Sequence, residues 1–165
     1  MLVVGIDVGS KNCGITVMQV QNGISAVLEA CTIELCSFKS FDPMLSGQRI
    51  NSKLNKLLSK YTIDYFAVER QPVVGLRQRG SIKATVVNCA IEAQILALVA
   101  ANQVDVVRVA PQTWRKKWGI KKTKTFKWYS QQYTTTQLFS NICEFDLATD
   151  VHQIDAALIA INNFI

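Results

Sequence analysis

The chain has 165 residues, of which 49% are hydrophobic, so its length and composition predict a single domain with a substantial core. No Pro-rich, Ser/Gly-rich or repetitive segment interrupts it, which argues against a linker or a repeat architecture. The formal net charge of +6 is spread unevenly, and its position along the chain is more informative than its sum.

The first part of the chain predicts three consecutive strands. Leu2–Val8 has the apolar composition of a buried strand, and Cys13–Val20 follows a turn around Ser10–Asn12. Ile24–Glu34 follows Asn22-Gly23, a pair that is typical of a tight hairpin. Strands joined by such short connections favour an antiparallel meander.

The middle of the chain predicts helices alternating with a strand. Ser46–Lys60 carries apolar residues at helical spacing, which indicates an amphipathic helix. Ile63–Glu69 is typical of a short apolar strand. Gly80–Asn102 predicts a long helix that is apolar nearly all round, and such a helix is either buried or shared with a partner chain.

The last part predicts one more strand and further helices. Val104–Ala110 indicates a strand that stops at Pro111, and we expect a basic loop after it. Helices are predicted over Thr123–Phe139 and Asp150–Phe164, with Asp150 as the N-cap of the second. The whole order predicts an α/β domain with a five-stranded mixed sheet, whose later strands run parallel to the first.

A basic segment follows the last predicted strand. No acidic residue occurs from Val106 through Cys143, and its centre reads "TWRKKWGIKKTKTFKWY". A long run of cations interleaved with aromatic rings favours a polyanionic partner, because phosphates supply affinity and rings pack on sugars or bases. We therefore expect nucleic acid as the partner. An anionic membrane surface fits less well without a long apolar helical face, and a solvated basic face is the alternative without a partner.

The cysteines and the N-terminus indicate a compartment. An odd set of cysteines without a C-x-x-C pair is typical of free thiols in a reducing intracellular compartment. The N-terminal stretch lacks the basic start and unbroken apolar core of a signal peptide. We expect no membrane helix, because the longest apolar run, Ala90–Ala101, is interrupted by Glu92 and Gln94 and is shorter than ~20 residues. The cysteines are Cys13, Cys31, Cys36, Cys89 and Cys143.

Three carboxylates lie in apolar surroundings that solvation does not explain. Asp7 is inside "LVVGIDV", Glu69 ends "IDYFAVE", and Asp155 lies in "IDAALIAI". If the first and fourth strands are neighbours, Asp7 and Glu69 come side by side. The last helix would then place Asp155 over them, with His152 one turn earlier on the same face. Glu92, by contrast, fits either an interface charge or a residue on a helix face.

Such a cluster predicts a metal site. Neighbouring carboxylates raise each other's pKa values unless a cation neutralises them. Oxygen-rich acidic sites suit Mg²⁺ or Mn²⁺, and a second ion about 4 Å away gives the two-metal arrangement of phosphodiester hydrolysis. From its pattern alone, His152 fits a structural role as well as a catalytic one.

The motifs "GIDVGSKNCGITV", "VERQP" and "HQIDAALIA" together resemble the RuvC-type Holliday junction resolvases, over the whole chain and in order. The Glu-Arg-Gln string and the size resemble in particular the resolvases of poxviruses and other large DNA viruses. The resemblance implies an RNase H-like fold and a metal-dependent endodeoxyribonuclease with two ions per active site. Paired symmetric nicks in four-way DNA would leave 5′-phosphate and 3′-hydroxyl ends. Two symmetric nicks imply a homodimer, and the apolar helix Gly80–Asn102 is our candidate for part of its interface. A viral source would place the protein in the host cytoplasm.

Carried over by position, the resemblance makes Asp7, Glu69, His152 and Asp155 metal-binding and catalytic residues. His152 stands where many members have Asp and some have His, so it either ligates a metal or assists the attacking water. Asp150 is a substitute acid, and Lys124 ranks first among the lysines that would steady the scissile phosphate. The residues expected to contact DNA are Arg70, Gln71, Arg77, Arg79, Lys83, Arg115, Lys116, Lys117, Lys121, Lys122, Lys124 and Lys127.

Three other functions fit parts of the sequence. Another RNase H-like nuclease, of YqgF type or specific for RNA–DNA hybrids, accounts for the opening motif but less well for "VERQP" and the basic segment. A non-catalytic nucleic-acid-binding module of the same fold does not need the three carboxylates and His152. An actin-like ATPase shares the opening motif, but such ATPases enclose nucleotide with a second half that 165 residues do not supply.

Overall fold

The computed structural model describes residues 1–21, 24–35, 42–71, 79–118 and 150–163, apart from the side chains of Ile24 and residues 79–83. Within these ranges it contains five strands and four helices. The strands are β1 (Leu2–Asp7), β2 (Asn12–Gln21), β3 (Ile24–Glu34), β4 (Tyr65–Glu69) and β5 (Asp105–Val109). The helices are α1 (Pro43–Lys60), α2 (Arg79–Ala101), α3 (Pro111–Lys117) and α4 (Val151–Ile161).

The strands form one mixed sheet in the order β3-β2-β1-β4-β5. β1, β2 and β3 pair antiparallel, and β4 and β5 run parallel to β1. This confirms the predicted five-stranded sheet and the adjacency of the first and fourth strands. Because Ile6 pairs with Val68, the next residues, Asp7 and Glu69, end two neighbouring parallel strands at the same edge of the sheet.

Both faces of the sheet are covered. On one face α4 packs against β1 and β2, with Met18, Trp114 and Ile154 in the buried core. On the other face α1 and α2 enclose a second core that includes Ile6 and Phe66. Strands buried on both faces have continuous apolar runs, which is why β1 and β4 lack an alternating pattern.

Helix α4 lies directly on β1, because the residue beneath it is Gly5. A Cβ at Gly5 would overlap the carbonyl oxygen of Ala156 and press on the Cβ of Ala160. With only hydrogen at this position, the backbones of helix and strand approach closely. This contact sets the height of α4 above the sheet and therefore the position of Asp155, one residue before Ala156.

Two helix starts depend on aspartate caps. The side chain of Asp42 accepts hydrogen bonds from the backbone N–H groups of Met44 and Leu45, so α1 begins at Pro43 rather than at the predicted Ser46. The side chain of Asp150 accepts the N–H of His152 at 2.8 Å, which confirms Asp150 as the N-cap of α4.

The expected loop after Pro111 is wrong for its first part. Residues Pro111–Lys117 form α3, because a proline in the first helical turn has its φ already set and needs no N–H partner. Trp114 of α3 is fully buried. The predicted helix Thr123–Phe139 and the Asn22-Gly23 turn lie outside the described residues.

The expectation that no segment is long and apolar enough for a membrane helix is also wrong. By length and composition alone, Ala84–Ala101 of α2 passes that test, the one such helix among the described residues. Core helices of soluble proteins pass it too, and one face of α2, with Val87, Ile91 and Ile95, packs in the core against the sheet. On that helix Glu92 is only 4% exposed and pairs with Arg108, so it lies on a helix face that is buried within the chain.

Candidate active site

The first strand and the last helix meet through Asp7 and His152. Asp7 is buried at the end of β1, and its Oδ2 lies 2.8 Å from Nδ1 of His152 in the first turn of α4. Nε2 of the same imidazole lies 3.4 Å from the amide nitrogen of Asn12. The hydrogen bond to Asp7 raises the pKa of His152, because it favours the charged ring.

The start of α4 is held in place by Asp150. Besides capping the helix, its carboxylate accepts a hydrogen bond from the hydroxyl of Thr32 on β3. These contacts anchor the turn that carries His152. Asp150 is therefore engaged as a cap beside β3, whereas the sequence also allowed it as a substitute acid.

Glu69 is buried at the end of β4 and is held from two sides. Its Oε1 accepts from the indole N–H of Trp114 at 3.2 Å and lies 3.6 Å from the guanidinium of Arg115. Its Oε2 accepts from the side-chain amide of Gln71 at 3.2 Å. Burial, followed by the charge of Asp7, raises the pKa of Glu69 to about 7. Arg115 and the two hydrogen bonds offset part of that rise.

Asp155 of α4 is the third buried carboxylate of the site. It is buried, and its Oδ1 has no hydrogen-bond partner among the residues that the structure describes. Burial, followed by the charge of Asp7, raises the pKa of Asp155 well above its usual range, and the charge of Glu69 acts in the same direction. The charges of Asp7, Glu69 and His152 are thus close enough to affect the ionisation of Asp155.

Protein contacts occupy most of these groups, and no three His, Cys, Asp or Glu side chains in the described part of the chain already gather as a metal site. The donor chemistry nevertheless fits a divalent ion. Carboxylate oxygens and an imidazole are suitable ligands, and Oδ1 of Asp155, which no described residue hydrogen-bonds, is available to coordinate a metal. A cation would also stabilise the ionised forms that burial and mutual repulsion disfavour.

This arrangement can be compared with known proteins. The family profile described as "Crossover junction endodeoxyribonuclease RuvC" matches residues 3–161, nearly the whole chain. The chain belongs to the RuvC family. It is therefore a junction-resolving nuclease, a metal-dependent hydrolase that acts on DNA, as the motifs predicted. A comparison with curated protein sequences finds no match.

Solved RuvC-type resolvases have the same fold. The structure of Thermus thermophilus RuvC in complex with a Holliday junction substrate matches with a TM-score of 0.76 at 18% identity, covering 98% of this chain and 92% of that one. The yeast mitochondrial Holliday junction resolvase Ydc2 gives 0.64 at 19% identity, covering 97% and 76%. The fowlpox virus Holliday junction resolvase gives 0.56 at 12% identity, covering 98% and 94%. These matches confirm the RNase H-like resolvase fold.

The residues expected to contact DNA in this RuvC-family chain have different surroundings. Arg70, Lys116 and Lys117 are exposed. Gln71 is buried, which contradicts its predicted DNA contact, and Arg115 is half-buried with its guanidinium 3.6 Å from Glu69. Lys117 donates to the carbonyl of Asn162. The remainder lie outside the described residues (Arg77, Lys121, Lys122, Lys124, Lys127) or have undescribed side chains (Arg79, Lys83).

Sequence reasoning missed Trp114 as a residue of this site. It was counted among the aromatic residues of the basic segment, although its indole donates to Glu69 and its ring is fully buried. Its position in the first turn after Pro111 was the available signal, because a helix there turns one face toward the sheet.

Proposed function

We propose that Asp7, Glu69, His152 and Asp155 bind two divalent ions, Mg²⁺ or Mn²⁺, and that the protein resolves four-way junctions by paired symmetric nicks. One observation carries this proposal. Asp7 and Glu69 end neighbouring parallel strands, and α4 lays the other two residues beside them, so that burial and mutual repulsion raise the pKa values of Glu69 and Asp155. A divalent cation is the partner that relieves this repulsion.

The bound ions would supply Lewis acidity, which activates a water molecule and stabilises charge on the phosphate under attack. His152, already hydrogen-bonded to Asp7, either adds an imidazole ligand or accepts a proton from the water. Arg115 adds a positive charge beside Glu69, where a phosphate would approach. Lys124 is proposed to steady the scissile phosphate, and the products would be 5′-phosphate and 3′-hydroxyl ends.

We further propose that the protein acts as a homodimer, because two symmetric nicks require two active sites related by a two-fold axis. Helix α2 is the proposed interface. Its inward face packs in the core, while Val86 on the same helix is 62% exposed. Burial of that side chain against a second copy would remove apolar surface from water.

For the setting we propose a reducing intracellular compartment, which is the host cytoplasm if the source is viral. The free thiols of Cys13, Cys31 and Cys89 support such a compartment. The viral source stays a prediction from the "VERQP" motif.

Cleavage of immobile four-way junctions, linear duplex and RNA–DNA hybrid, with products mapped on all four junction strands, tests the proposed function. Wild type is compared with Asp7→Asn and, as a matched control, Asp64→Asn, whose carboxylate is exposed and accepts the N–H of Leu2 at the other end of β1. We expect symmetric nicks in the junction only, in Mg²⁺ or Mn²⁺ but not in EDTA. Asp7→Asn should bind the junction without cutting it, whereas Asp64→Asn should cut normally.

Each negative result of this experiment would favour a different alternative to the proposed function. Equal cutting of all three substrates would favour a general RNase H-like nuclease. Junction binding by wild type without cleavage in either metal would favour a binding module. Undiminished cleavage by Asp7→Asn would show that the active site lies elsewhere.

A further inference from the structure

A buried amide lies behind Glu69. Gln71 is 8% exposed, although its place in the "VERQP" motif, two residues after Glu69, predicted a DNA contact. Its side-chain nitrogen donates to Oε2 of Glu69 and to the carbonyl oxygen of Val8, each at 3.2 Å. The amide therefore bridges the proposed metal ligand of β4 and the residue that follows Asp7.

Helix α2 determines how this amide is oriented. The side-chain nitrogen of Asn88 donates to Oε1 of Gln71 at 3.1 Å. One turn further, Oε2 of Glu92 accepts the backbone N–H of Gln71 at 3.0 Å. Glu92 is held in turn by Arg108 of β5, whose guanidinium lies 2.6 Å from Oε1. Both ends of the Gln71 amide are thus used, and a reversed amide would turn its oxygen toward the acceptor oxygens of Glu69 and Val8.

We propose that Gln71 is a positioning residue that holds the Glu69 carboxylate ready for divalent metal, with Asn88 and Glu92 of α2 as its anchor. This inference rests on the proposed role of Glu69 as a metal ligand. With Trp114 on Oε1 and Gln71 on Oε2, little rotational freedom of the carboxylate is left to lose when a cation binds. Groups that orient metal ligands typically contribute about 10-fold to 100-fold in metal affinity.

The Gln71–Asn88 contact offers a test that separates positioning from general support of the fold. Asn88→Asp replaces the donor by acceptors only and leaves the size of the side chain unchanged. The Gln71 amide would then turn over, pointing its nitrogen at the new carboxylate and its oxygen at Glu69. An added negative charge by itself attracts cations more strongly, so a loss of metal affinity in this variant has the opposite sign to simple electrostatics.

Isothermal titration calorimetry with Mn²⁺ alone, at one pH and without DNA, measures the affinity directly. The variants are Gln71→Met, Asn88→Asp, Asn88→Ala and Glu69→Gln. Gln94→Met is the matched control, because Gln94 is an amide on the same helix that donates to the carbonyl of Pro43, away from Glu69. Circular dichroism establishes that each variant unfolds cooperatively.

We expect Gln71→Met and Asn88→Asp to weaken Mn²⁺ binding by about 10-fold to 100-fold. Asn88→Ala should weaken it less than Asn88→Asp, because Val8 and Glu69 still favour the correct amide orientation. Gln94→Met should bind like wild type. Wild-type affinity in both Gln71→Met and Asn88→Asp would overturn the inference. If Gln71→Met does not fold, the two Asn88 variants provide the test. Weaker Mn²⁺ binding by Asn88→Asp than by Asn88→Ala supports the inference, and equal affinities or the reverse order overturn it.

The two proposals fail in different ways. If Glu69→Gln binds Mn²⁺ as tightly as wild type, Glu69 is not a ligand and the proposed set of metal-binding residues is wrong. If Glu69→Gln loses binding while Gln71→Met and Asn88→Asp retain it, the metal site stands and only the positioning role of Gln71 is overturned.

Discussion

The imidazole Nδ1 of His152 lies 2.8 Å from the Oδ2 of Asp7, although 145 positions separate the two residues. Their contact joins the end of the first strand to the first turn of the last helix. Asn12 on the far side of the ring and the Asp150 cap behind it keep the imidazole in this position. Any rearrangement of α4 therefore changes the surroundings of Asp7 directly.

Substitution of His152 separates its possible roles. We expect His152→Ala to lower metal-dependent junction cleavage by about 100-fold, in the range for loss of a proton-transfer group. His152→Asp should retain more activity, because a carboxylate can also ligate a metal. Without metal, however, it places a second negative charge beside Asp7. Single-turnover cleavage and the melting temperature with and without Mn²⁺ measure both effects. Cleavage by His152→Ala at the wild-type rate would remove His152 from the active site.

The metal-free protein should lose stability as pH rises from about 4.5 to about 7. The pKa of Glu69 is raised from 4.5 to about 7, so this group stabilises the fold below pH 4.5 and the contribution is lost as pH rises through 7. The pKa values of Asp155 and His152 are also raised, so the contributions of these two groups to stability are likewise lost as pH rises. Thermal unfolding in EDTA across this range measures the slope, which should be flatter in Glu69→Gln.

Added Mn²⁺ should reverse this trend at the upper end of the range, because metal and protons compete for the same oxygens. The rise in melting temperature on adding Mn²⁺ should therefore be larger at pH 8 than at pH 5. A rise independent of pH would place metal binding away from the buried carboxylates.

Trp114→Phe tests the hydrogen bond that sequence reasoning missed. Loss of the indole N–H leaves Oε1 of Glu69 without this donor, and we expect a loss of about 1–3 kcal/mol in the free energy of unfolding together with slower cleavage. Trp118→Phe is the matched control, since that indole donates to the carbonyl of Leu158 instead. Denaturant unfolding and junction cleavage should show that only Trp114→Phe affects activity beyond its effect on stability. Equal effects of the two variants on cleavage would contradict a role for Trp114 at Glu69.

Gly14→Ala should move the start of α4. Gly14 pairs with Asp7 across β1 and β2, and a Cβ there would overlap the backbone carbonyl of His152. We expect a loss of about 1–3 kcal/mol in the free energy of unfolding, as in other overpacked sites, and strongly reduced cleavage.

Gly47→Ala is the control for this substitution. A Cβ at Gly47 meets only the end of the flexible Gln94 side chain, at 3.0 Å, and alanine is the better helix former. Its stability should match or exceed that of wild type, with normal cleavage. If Gly14→Ala is also as stable and as active as wild type, the position of α4 does not depend on the close approach of Gly14 to the carbonyl of His152.

The sequence by itself determined the order of the five strands, the mixed sheet and the family. Burying an unpaired carboxylate is costly, so Asp7, Glu69 and Asp155 are recognisable from their apolar neighbours in the sequence alone. Helical spacing likewise placed His152 on the same face as Asp155. These inferences depend on local composition and periodicity, which a single sequence contains.

Only the tertiary structure decided what holds those carboxylates. Gln71 lies in "VERQP" and Arg115 in the basic segment, and both were expected to contact DNA, yet both side chains lie against Glu69. Trp114 lies in α3, in a segment for which the sequence predicted a loop. Glu92 is buried and paired with Arg108 of β5. The direction of each of these side chains depends on the angle at which its element packs on the sheet. That angle is set by contacts between residues far apart in sequence, which local pattern does not encode.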